Sequence, residues 1–336
     1  MCSRGGPGKP SMTSDTAIAP ASIVRRIQNA VRLESLGVLL ALIVALSLLS
    51  PYFLSVSNFL NILLATAVVG VLAFGSTFVI ASAGIDLSVG SILALAGVVM
   101  GICVTTFGLP WPLAIAACLL TGAFCGLING LLIARAEIPA FIVTLGMMGV
   151  ARGVALLLTN GASKYGLDPA IVYMGQGRPL GIPVPVIVFV AMAVISHFVL
   201  VHTRFGVRTL VIGDNEAAAR ATGINVVRHR VILYVLSGTL AGLAGLLFMA
   251  RTNSADPSAG IAYELTAITA TILGGTNLFG GRATIAGTLV GALITGVLQN
   301  GLTLLAVSPF YQQILIGLVL VLAVWLDLIN RRRSLR

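Results

Sequence analysis

Gly213–Arg230 reads GDNEAAARATGINVVRHR and is the most polar internal segment of a chain that is otherwise nearly all apolar. Asp214 or Asn215 can cap a helix here, because a short polar side chain accepts hydrogen bonds from the free amides of the first turn. Glu216 follows at the positive end of the helix dipole, and Arg220 stands four residues later on the same face. Three alanines, the best helix formers, lie between these two charges. The segment therefore predicts a short capped helix between two hydrophobic spans.

The same segment also contains the signal that ends this helix. Gly223 can take the left-handed conformation that is common just past the end of a helix. The run from Glu216 to Thr222 makes about two turns, which is too short to be stable alone, so it must dock on other structure. We interpret it as the part of a membrane protein that contacts a soluble partner. The alternative is a solvated loop whose basic residues only fix the topology.

The composition is that of a polytopic membrane protein. Hydrophobic residues make up 58% of the chain, charged residues make up 9%, and the mean hydropathy is +1.06. Charged residues form roughly a quarter of a soluble domain. The net charge of +10 does not indicate nucleic acid, because the basic residues lie between apolar spans. The four cysteines form no close pair of the C-x-x-C kind, so we expect neither a metal site nor a disulfide framework.

The apolar spans predict an all-α protein with about ten transmembrane helices. A bilayer core of about 30 Å requires roughly 20 apolar residues per helix. By that measure the spans lie near 36–54, 59–82, 87–107, 112–134, 139–159, 183–202, 230–250, 263–278, 284–306 and 310–330. The eighth is short and rich in Gly and Thr, which is consistent with a broken or partly re-entrant segment.

The distribution of arginine and lysine sets the topology. With ten spans and a cytoplasmic N-terminus, sixteen of the twenty basic residues lie inside, in agreement with the positive-inside rule. Both termini are then cytoplasmic. Residues 1–35 form a disordered tail, 36–330 the transmembrane domain and 331–336 a basic C-terminal end. The two largest loops face opposite sides, 203–230 inside and 160–183 outside. The length of the outer loop favours a docking role, and the alternative is a plain connector.

A second polar motif, GIDLSVG at 84–90, joins the second and third spans. An acidic residue at a membrane boundary is costly unless it is hydrated or paired. The motif therefore supplies candidates for a gate or hinge at the inner mouth, namely Gly84, Asp86, Ser88 and Gly90. The alternative is structural: Asp86 or Ser88 caps the third helix while Gly84 lets the chain turn.

A related pattern, GTNLFGG, returns at 275–281 before the ninth span. Both copies fit G-x-[D/N]-L-x-x-G and both are expected on the inner side, which hints at an internal repeat. Asn277 takes the place of Asp86 in this second copy. We therefore add Asn277 to the hinge candidates.

Amide side chains within the spans are the candidates for a translocation path. They can hydrogen-bond the hydroxyls of a neutral solute, or alternatively bond only to neighbouring helices. The spans contain no chain of Asp, Glu, His or Lys of the kind that proton-coupled pumps use. The candidates are Asn61, Asn129, Gln299 and Asn300.

Several catalytic motifs are missing from the sequence. There is no G-x-x-x-x-G-K-[ST] for ATP, no H-E-x-x-H for zinc and no G-x-S-x-G nucleophile turn. The sequence therefore does not indicate an enzyme. If ATP drives transport, another subunit must hydrolyse it.

Taken in order, six stretches resemble the permeases of bacterial ribose-type ABC sugar importers. The resemblance covers about residues 36 to 330 and leaves out only the N-terminal tail. The stretches are GIDLSVGSILALAGV (84–98), INGLLIARAEIPAFIVTLGMMGVARG (128–153), GDNEAAARATGINV (213–226), SGTLAGLAG (237–245), ILGGTNLFGGRATIAGTLVGA (272–292) and LQNGLTLLAVSPFYQQILIGLVLVLAV (298–324).

This resemblance implies a multi-pass permease in the bacterial inner membrane. It implies two permease copies per complex, a cytoplasmic ATPase that uses ATP and Mg, and a periplasmic sugar-binding protein. It also implies that the short helix is the coupling helix, with Gly213, Asn215, Ala218, Ala219, Gly223 and Ile224 at the motif positions. The whole predicted coupling segment is Gly213, Asp214, Asn215, Glu216, Ala217, Ala218, Ala219, Arg220, Thr222, Gly223 and Ile224.

One position departs from the family pattern, because Asp214 replaces what is often a second glycine. We expect a more polar cap there and no loss of coupling. The chain itself is expected to bind no cofactor, and its other partner is membrane lipid.

Three alternatives make different predictions. An ABC permease for branched-chain amino acids or nucleosides would work with a binding protein for those solutes. A stand-alone secondary transporter or channel would move solute without an ATPase and would need coupling-ion residues in its spans. A membrane-embedded enzyme would cluster His, Asp or Glu at one depth, and the sequence shows no such cluster.

Overall fold

The computed structural model describes residues 33–334, so most of the predicted N-terminal tail lies outside the described residues. The chain folds into helices joined by connecting segments, with one very small two-stranded sheet. The helices are α1 Leu33–Leu49, α2 Val56–Ala81, α3 Val89–Thr105, α4 Trp111–Ala134, α5 Ala140–Thr159, α6 Pro169–Gln176, α7 Val184–His202, α8 Arg204–Asp214, α9 Glu216–Ala221, α10 Val226–Thr252, α11 Tyr263–Leu273, α12 Ile285–Leu304 and α13 Pro309–Ser334. Strands β1 Lys164–Tyr165 and β2 Ser254–Ala255 pair as this two-stranded antiparallel sheet.

Within the described part of the chain, six helices are long and apolar enough to cross a membrane: α2, α4, α5, α7, α10 and α12. Four shorter apolar helices lie in α1, α3, α11 and α13. Each of the ten predicted spans overlaps one of these helices. The protein is therefore all-α and polytopic, as the sequence predicted, and the count of ten crossings stays a prediction.

Helices α2 and α10 form the centre of the bundle. Most of α2 is buried, and α10 packs against α2, α3 and α4. Small residues bring α4 and α10 into backbone contact, because a Cβ added to Gly122 would lie 2.2 Å from the carbonyl oxygen of Gly238. Such close approach is typical of helix pairs in membranes. The two helices are therefore in direct backbone contact at the centre of the bundle.

Helices α3 and α11 both begin inside the bundle rather than at its ends. A Cβ on Gly90, in the first turn of α3, would lie 2.2 Å from the Glu264 carboxylate and 2.4 Å from the Gly260 carbonyl oxygen. The loop before α11 therefore turns back into the protein until it meets the start of α3. The eighth predicted span is thus an 11-residue helix behind an indented loop, an arrangement seen where transporters use discontinuous helices.

The Arg152 guanidinium of α5 holds this indented loop. Its Nη1 donates to the carbonyl oxygens of Pro257 at 2.5 Å and Ala259 at 2.8 Å. Loop carbonyls inside a membrane protein require such partners, because no water is available to replace them. The arginine therefore has a structural role at this position.

Candidate coupling site

The short helix predicted from the sequence forms as α9, and Asn215 is its cap. The Asn215 side-chain oxygen accepts a hydrogen bond from the amide of Ala218 at 3.0 Å. Of the two cap candidates, Asp214 instead ends the preceding helix α8. Because Asn215 has an extended backbone, the chain changes direction between α8 and α9.

Gly223 ends α9 as the sequence predicted. Its φ is +82°, in the left-handed region that favours glycine. The Gly223 amide donates to the Arg220 carbonyl at 3.0 Å, and the Ile224 amide donates to the Ala219 carbonyl at 3.1 Å. This pair of bonds is a Schellman motif. Ile224 also packs on a small cluster that includes Ala219 and Ile212, so α9 is docked at this end by apolar contact.

Glu216 joins α9 to α10 through two arginines. Its carboxylate contacts Arg220 on the same helix at 2.7 Å and Arg230 on α10 at 2.5 Å. Burial alone raises the pKa of the Glu216 carboxyl, but the hydrogen bonds and charges of Arg220 and Arg230 outweigh it and hold the pKa below its ordinary value. The Glu216–Arg220 pair was expected from the spacing, whereas the contact with Arg230 was not.

The other end of the segment is held by backbone contact at Gly213. A Cβ on Gly213 would lie 1.9 Å from the carbonyl oxygen of Ala81 and 2.7 Å from the amide nitrogen of Gly281. The Gly281 amide donates to the same Ala81 carbonyl at 3.0 Å. Only glycine fits between these backbones, so the end of α8 is locked against the end of α2.

The outer face of α9 remains uncovered. Ala217, Ala218 and Arg220 are exposed, whereas Ala219 is fully buried against the bundle. A helix of six residues fixed at both ends, with one face free, is suited to transmit force from a body that binds that face.

Two hinge candidates of the GIDLSVG motif, Asp86 and Ser88, meet in a buried cluster. We define the α2–α3 connector as residues 82–88. The Asp86 carboxylate accepts from the Ser88 amide at 3.0 Å, from the Ser88 hydroxyl at 2.6 Å and from the Ser237 hydroxyl of α10 at 2.9 Å. Asp86 is only 2% exposed. The predicted cap bond to the first turn of α3 is not formed by either side chain: Ser88 makes no side-chain cap bond, and Asp86 accepts from the Ser88 amide, which precedes the helix.

The two glycines of this motif contact different partners. A Cβ on Gly84 would lie 2.9 Å from the hydroxyl of Tyr234. Gly90 lies beside the start of α11, as described above. The role of these glycines as hinge elements stays a prediction.

The second copy of the motif lies directly beside the first. The Asn277 side chain accepts from the Phe279 amide at 2.9 Å and so shapes the 275–281 turn. Gly280 packs on the backbone of Ala83 in the α2–α3 connector. The two turns and the end of α8 therefore meet at one point.

A cavity of about 440 Å³ opens beside this point, and its polar lining includes Ser82, Glu137, Glu216, Arg220, Arg230 and Tyr234.

The amide candidates for a translocation path do not converge. Asn129 is buried and donates to the Ser88 hydroxyl at 2.9 Å. Asn300 exchanges two hydrogen bonds with Asn58, at 3.0 and 2.8 Å. Asn61 is exposed and Gln299 is half-buried. Asn129 and Asn300 thus bond neighbouring helices, and which of the four contacts solute stays a prediction.

Four residues of these contacts were missed from the sequence: Asn58, Arg230, Tyr234 and Ser237. The spacing of 230, 234 and 237 is helical and could have indicated a shared face. Nothing in the sequence indicated the partners of these three α10 residues, which are 14 to 151 positions away along the chain.

Neither a metal cluster nor a disulfide is found in the described range. No group of three His, Cys, Asp or Glu side chains lies close enough to hold a metal ion among residues 33–334. Cys103, Cys118 and Cys125 are free, and Cys2 lies outside the described residues.

Comparison with known proteins gives a family and several relatives. Residues 58–324 match the family described as "Branched-chain amino acid transport system / permease component". The chain is 46% identical over 308 residues to the ribose import permease protein RbsC of Escherichia coli strain K12, covering 88% of this chain and 92% of the relative. It is 48% identical over 292 residues to RbsC of Bacillus subtilis strain 168, covering 86% of this chain and 90% of the relative.

A third relative covers nearly the whole chain. The L-arabinose ABC transporter permease protein AraH of Azospirillum brasilense is 38% identical over 333 residues, 98% of each protein. No solved structure matches this chain.

Proposed function

This chain belongs to the family described as the permease component of branched-chain amino acid transport systems, and we propose that it is the membrane permease of an ATP-binding cassette importer for a monosaccharide. Its relatives support the sugar assignment, because they are named as ribose and L-arabinose permeases and align over 86 to 98% of this chain. The chain is a transport component and not an enzyme. The most direct structural support for the importer proposal is α9, which is fixed at both ends and exposed on one face.

The proposed transport step follows from that geometry. Closure of an ATPase against the exposed face of α9 would move α8 and α10, which are joined to it on either side. Because the end of α8 is locked to α2 through Gly213, and α10 is joined through Glu216, the movement reaches the spans on both sides. Rigid helices displaced in this way switch access between the two membrane faces.

Family membership implies an ATPase subunit and a periplasmic binding protein as partners. Since the sequence lacks a P-loop, we assign ATP and Mg²⁺ to the partner ATPase and no cofactor to this chain. We further propose two permease copies per complex, surrounded by the lipid of a bacterial inner membrane. The six long apolar helices and four shorter ones are consistent with ten spans. We propose cytoplasmic termini from the distribution of basic residues.

The outer loop 160–183 is proposed to contact the binding protein. The loop has structure of its own: it contributes β1 to the two-stranded sheet with β2, and it contains α6, whose cap Asp168 accepts from the Ala170 amide at 2.8 Å. Gln176 donates to the Arg251 carbonyl at 3.0 Å, so the loop is fixed to the end of α10. Tyr165 and Tyr173 are both exposed on it. Ordered loops with exposed aromatic residues are suited to protein recognition.

The alternative solute is a branched-chain amino acid, which the family description favours. The three relatives reported above favour a sugar, because each of them is named for one. A stand-alone carrier is a weaker alternative, since the spans lack a chain of ionisable residues for a coupling ion.

Solute uptake tests this proposal. Proteoliposomes would contain the chain with the ATPase and binding protein encoded beside it and with ATP inside or outside, and would be offered labelled ribose, arabinose, leucine or adenosine. We expect uptake of a pentose that requires both partners and ATP on the ATPase side. Uptake of leucine or adenosine would instead assign the chain to a permease for branched-chain amino acids or nucleosides. Uptake without the ATPase would contradict the importer assignment.

A further inference from the structure

Three side chains on one face of α10 bond to structure outside that helix. Arg230, Tyr234 and Ser237 are spaced four and three residues apart, so they form a single stripe. The Arg230 guanidinium contacts the Glu216 carboxylate of α9 at 2.5 Å. The Tyr234 hydroxyl donates to the Ile85 carbonyl at 3.2 Å. One turn further, Ser237 contacts the Asp86 carboxylate, so the stripe connects α9 to the α2–α3 connector.

Other hydroxyls on α10 behave differently. Thr239 donates to the Val235 carbonyl at 2.7 Å, and Thr252 donates to the Phe248 carbonyl at 3.2 Å. Both of these bonds stay within the helix, as is common for Ser and Thr in apolar helices. Thr252 is the last residue of α10, and its hydroxyl also lies 3.3 Å from the Ser254 carbonyl just beyond the helix. Among the hydroxyls of α10, those of Tyr234 and Ser237 are therefore the ones that bond to the α2–α3 connector.

The Ser237 end of the stripe lies where the start of α3 meets α4. The Asp86 carboxylate that accepts from Ser237 also accepts from the amide and hydroxyl of Ser88, at the start of α3. The Ser88 hydroxyl in turn accepts from Asn129 of α4. All four side chains are buried, where hydrogen bonds to a carboxylate are strong and their geometry is well defined. A displacement of Asp86 is therefore felt by α3 and α4 together.

We propose that Arg230, Tyr234 and Ser237 are positioning residues that carry the ATP-driven movement of α9 to the α2–α3 connector. This inference rests on the proposed function, because it specifies how the coupling helix reaches the part of the bundle that opens and closes. Helix α10 is suited to the task, since its packing on α2, α3 and α4 leaves little room for bending. Through the stripe, α10 contacts α9 at Glu216 and the α2–α3 connector at Ile85 and Asp86.

The test removes one hydroxyl at a time in the complete transporter. Ser237→Ala and Tyr234→Phe would be measured in proteoliposomes that hold the ATPase and the binding protein. The readouts are basal ATP hydrolysis, its stimulation by sugar-loaded binding protein, and sugar transported per ATP. The loss of one buried hydrogen bond is expected to lower stimulation and transport per ATP by about threefold to tenfold. Basal hydrolysis is expected to change by less than about twofold.

Matched controls remove the same atoms elsewhere. Thr239→Val removes a hydroxyl that bonds only within α10. Tyr263→Phe removes a phenol that makes no hydrogen bond among the described residues, although its ring packs on Phe248. Both controls are expected to keep the wild-type ratio of stimulated to basal hydrolysis. Should Ser237→Ala fail to assemble, Tyr234→Phe decides the question alone.

A double change separates transmission from a general loss of stability. If the two ends of the stripe act in series, Arg230→Gln combined with Ser237→Ala lowers stimulation no further than the more severe single change. Independent structural roles would instead multiply the two losses. Multiplied losses, or single variants that match the controls, would overturn the inference. A wild-type complex without sugar-stimulated hydrolysis would refute the proposed function itself, which is a distinct result.

Discussion

Gly213→Ala should push the end of α8, which leads into α9, away from the end of α2. The added Cβ would lie 1.9 Å from the Ala81 carbonyl oxygen and 2.7 Å from the Gly281 amide nitrogen. Non-bonded heavy atoms need roughly 3 Å or more, so the end of α8 must move away from α2 by about 1 Å. Both contacts are backbone atoms, which cannot rotate aside. The movement also disturbs the hydrogen bond from Gly281 to Ala81.

Overpacking of this kind costs about 1–3 kcal/mol, which exceeds the gain of up to about 1 kcal/mol that alanine brings over glycine in a helix. We therefore expect a lower melting temperature in detergent and a lower ratio of stimulated to basal ATP hydrolysis. Gly317→Ala in α13 is the matched control, because an added Cβ there meets no atom within 4 Å. It should be neutral or slightly stabilising. A Gly213→Ala variant with wild-type melting and wild-type coupling would refute the close approach at this junction.

Three further changes have defined outcomes. Asn215→Ala removes the cap of α9 and should cost about 0.5–2 kcal/mol, measured as faster hydrogen exchange at the Ala218 amide. Glu216→Gln should lower the melting temperature at pH 7. Because the folded pKa of Glu216 is depressed, its stabilising contribution is present above its ordinary value of 4.5 and is lost as the pH falls through the folded pKa. The difference in melting temperature between Glu216→Gln and wild type should therefore disappear as the pH falls below 4.5. Asn58→Leu leaves the Asn300 amide without its partner, and Asn300→Leu leaves the Asn58 side-chain oxygen without its donor while Asn58 keeps its bond to the Phe53 carbonyl. Each single change should cost about 1–3 kcal/mol, whereas the double change should cost less than the sum in melting experiments.

Each of these has a contrary outcome. Asn215→Asp keeps a capping oxygen and should retain protection, so equal exchange in the Ala and Asp variants would contradict the cap. A melting gap for Glu216→Gln that widens in acid would contradict the sign of the pKa shift. Strictly additive losses for the amide pair would show that the two side chains do not depend on each other.

The sequence predicted the helical fold and the local form of α9 because those features depend on neighbours along the chain. The helix dipole, the alanine run and Gly223 act within one or two turns, and α9 begins and ends where they indicate. The choice between Asp214 and Asn215 as cap was open, since both side chains can accept the bond. The structure resolves it because Asp214 continues α8.

Long-range contacts could not be predicted in the same way. Asp86 was placed at an inner mouth, where hydration was one way to accommodate its charge. The structure buries it against Ser237, a residue 151 positions away along the chain that carries no signal of its own. The eighth span was recognised as irregular from its composition, but its meeting with the start of α3 depends on how the loop before α11 packs. The amides proposed for a path were chosen by type, and type alone does not determine where each lies in the bundle.

Coupling through α9 is tested most directly by ATP hydrolysis in proteoliposomes that contain this chain, its ATPase and its binding protein. The comparison is between wild type and the double variant Glu216→Arg with Gly223→Pro, which removes both the ion pairs and the left-handed end of α9. Sugar-loaded binding protein should stimulate hydrolysis in wild type, and the double variant should assemble but lose that stimulation. Equal stimulation in both proteins would contradict coupling through this helix.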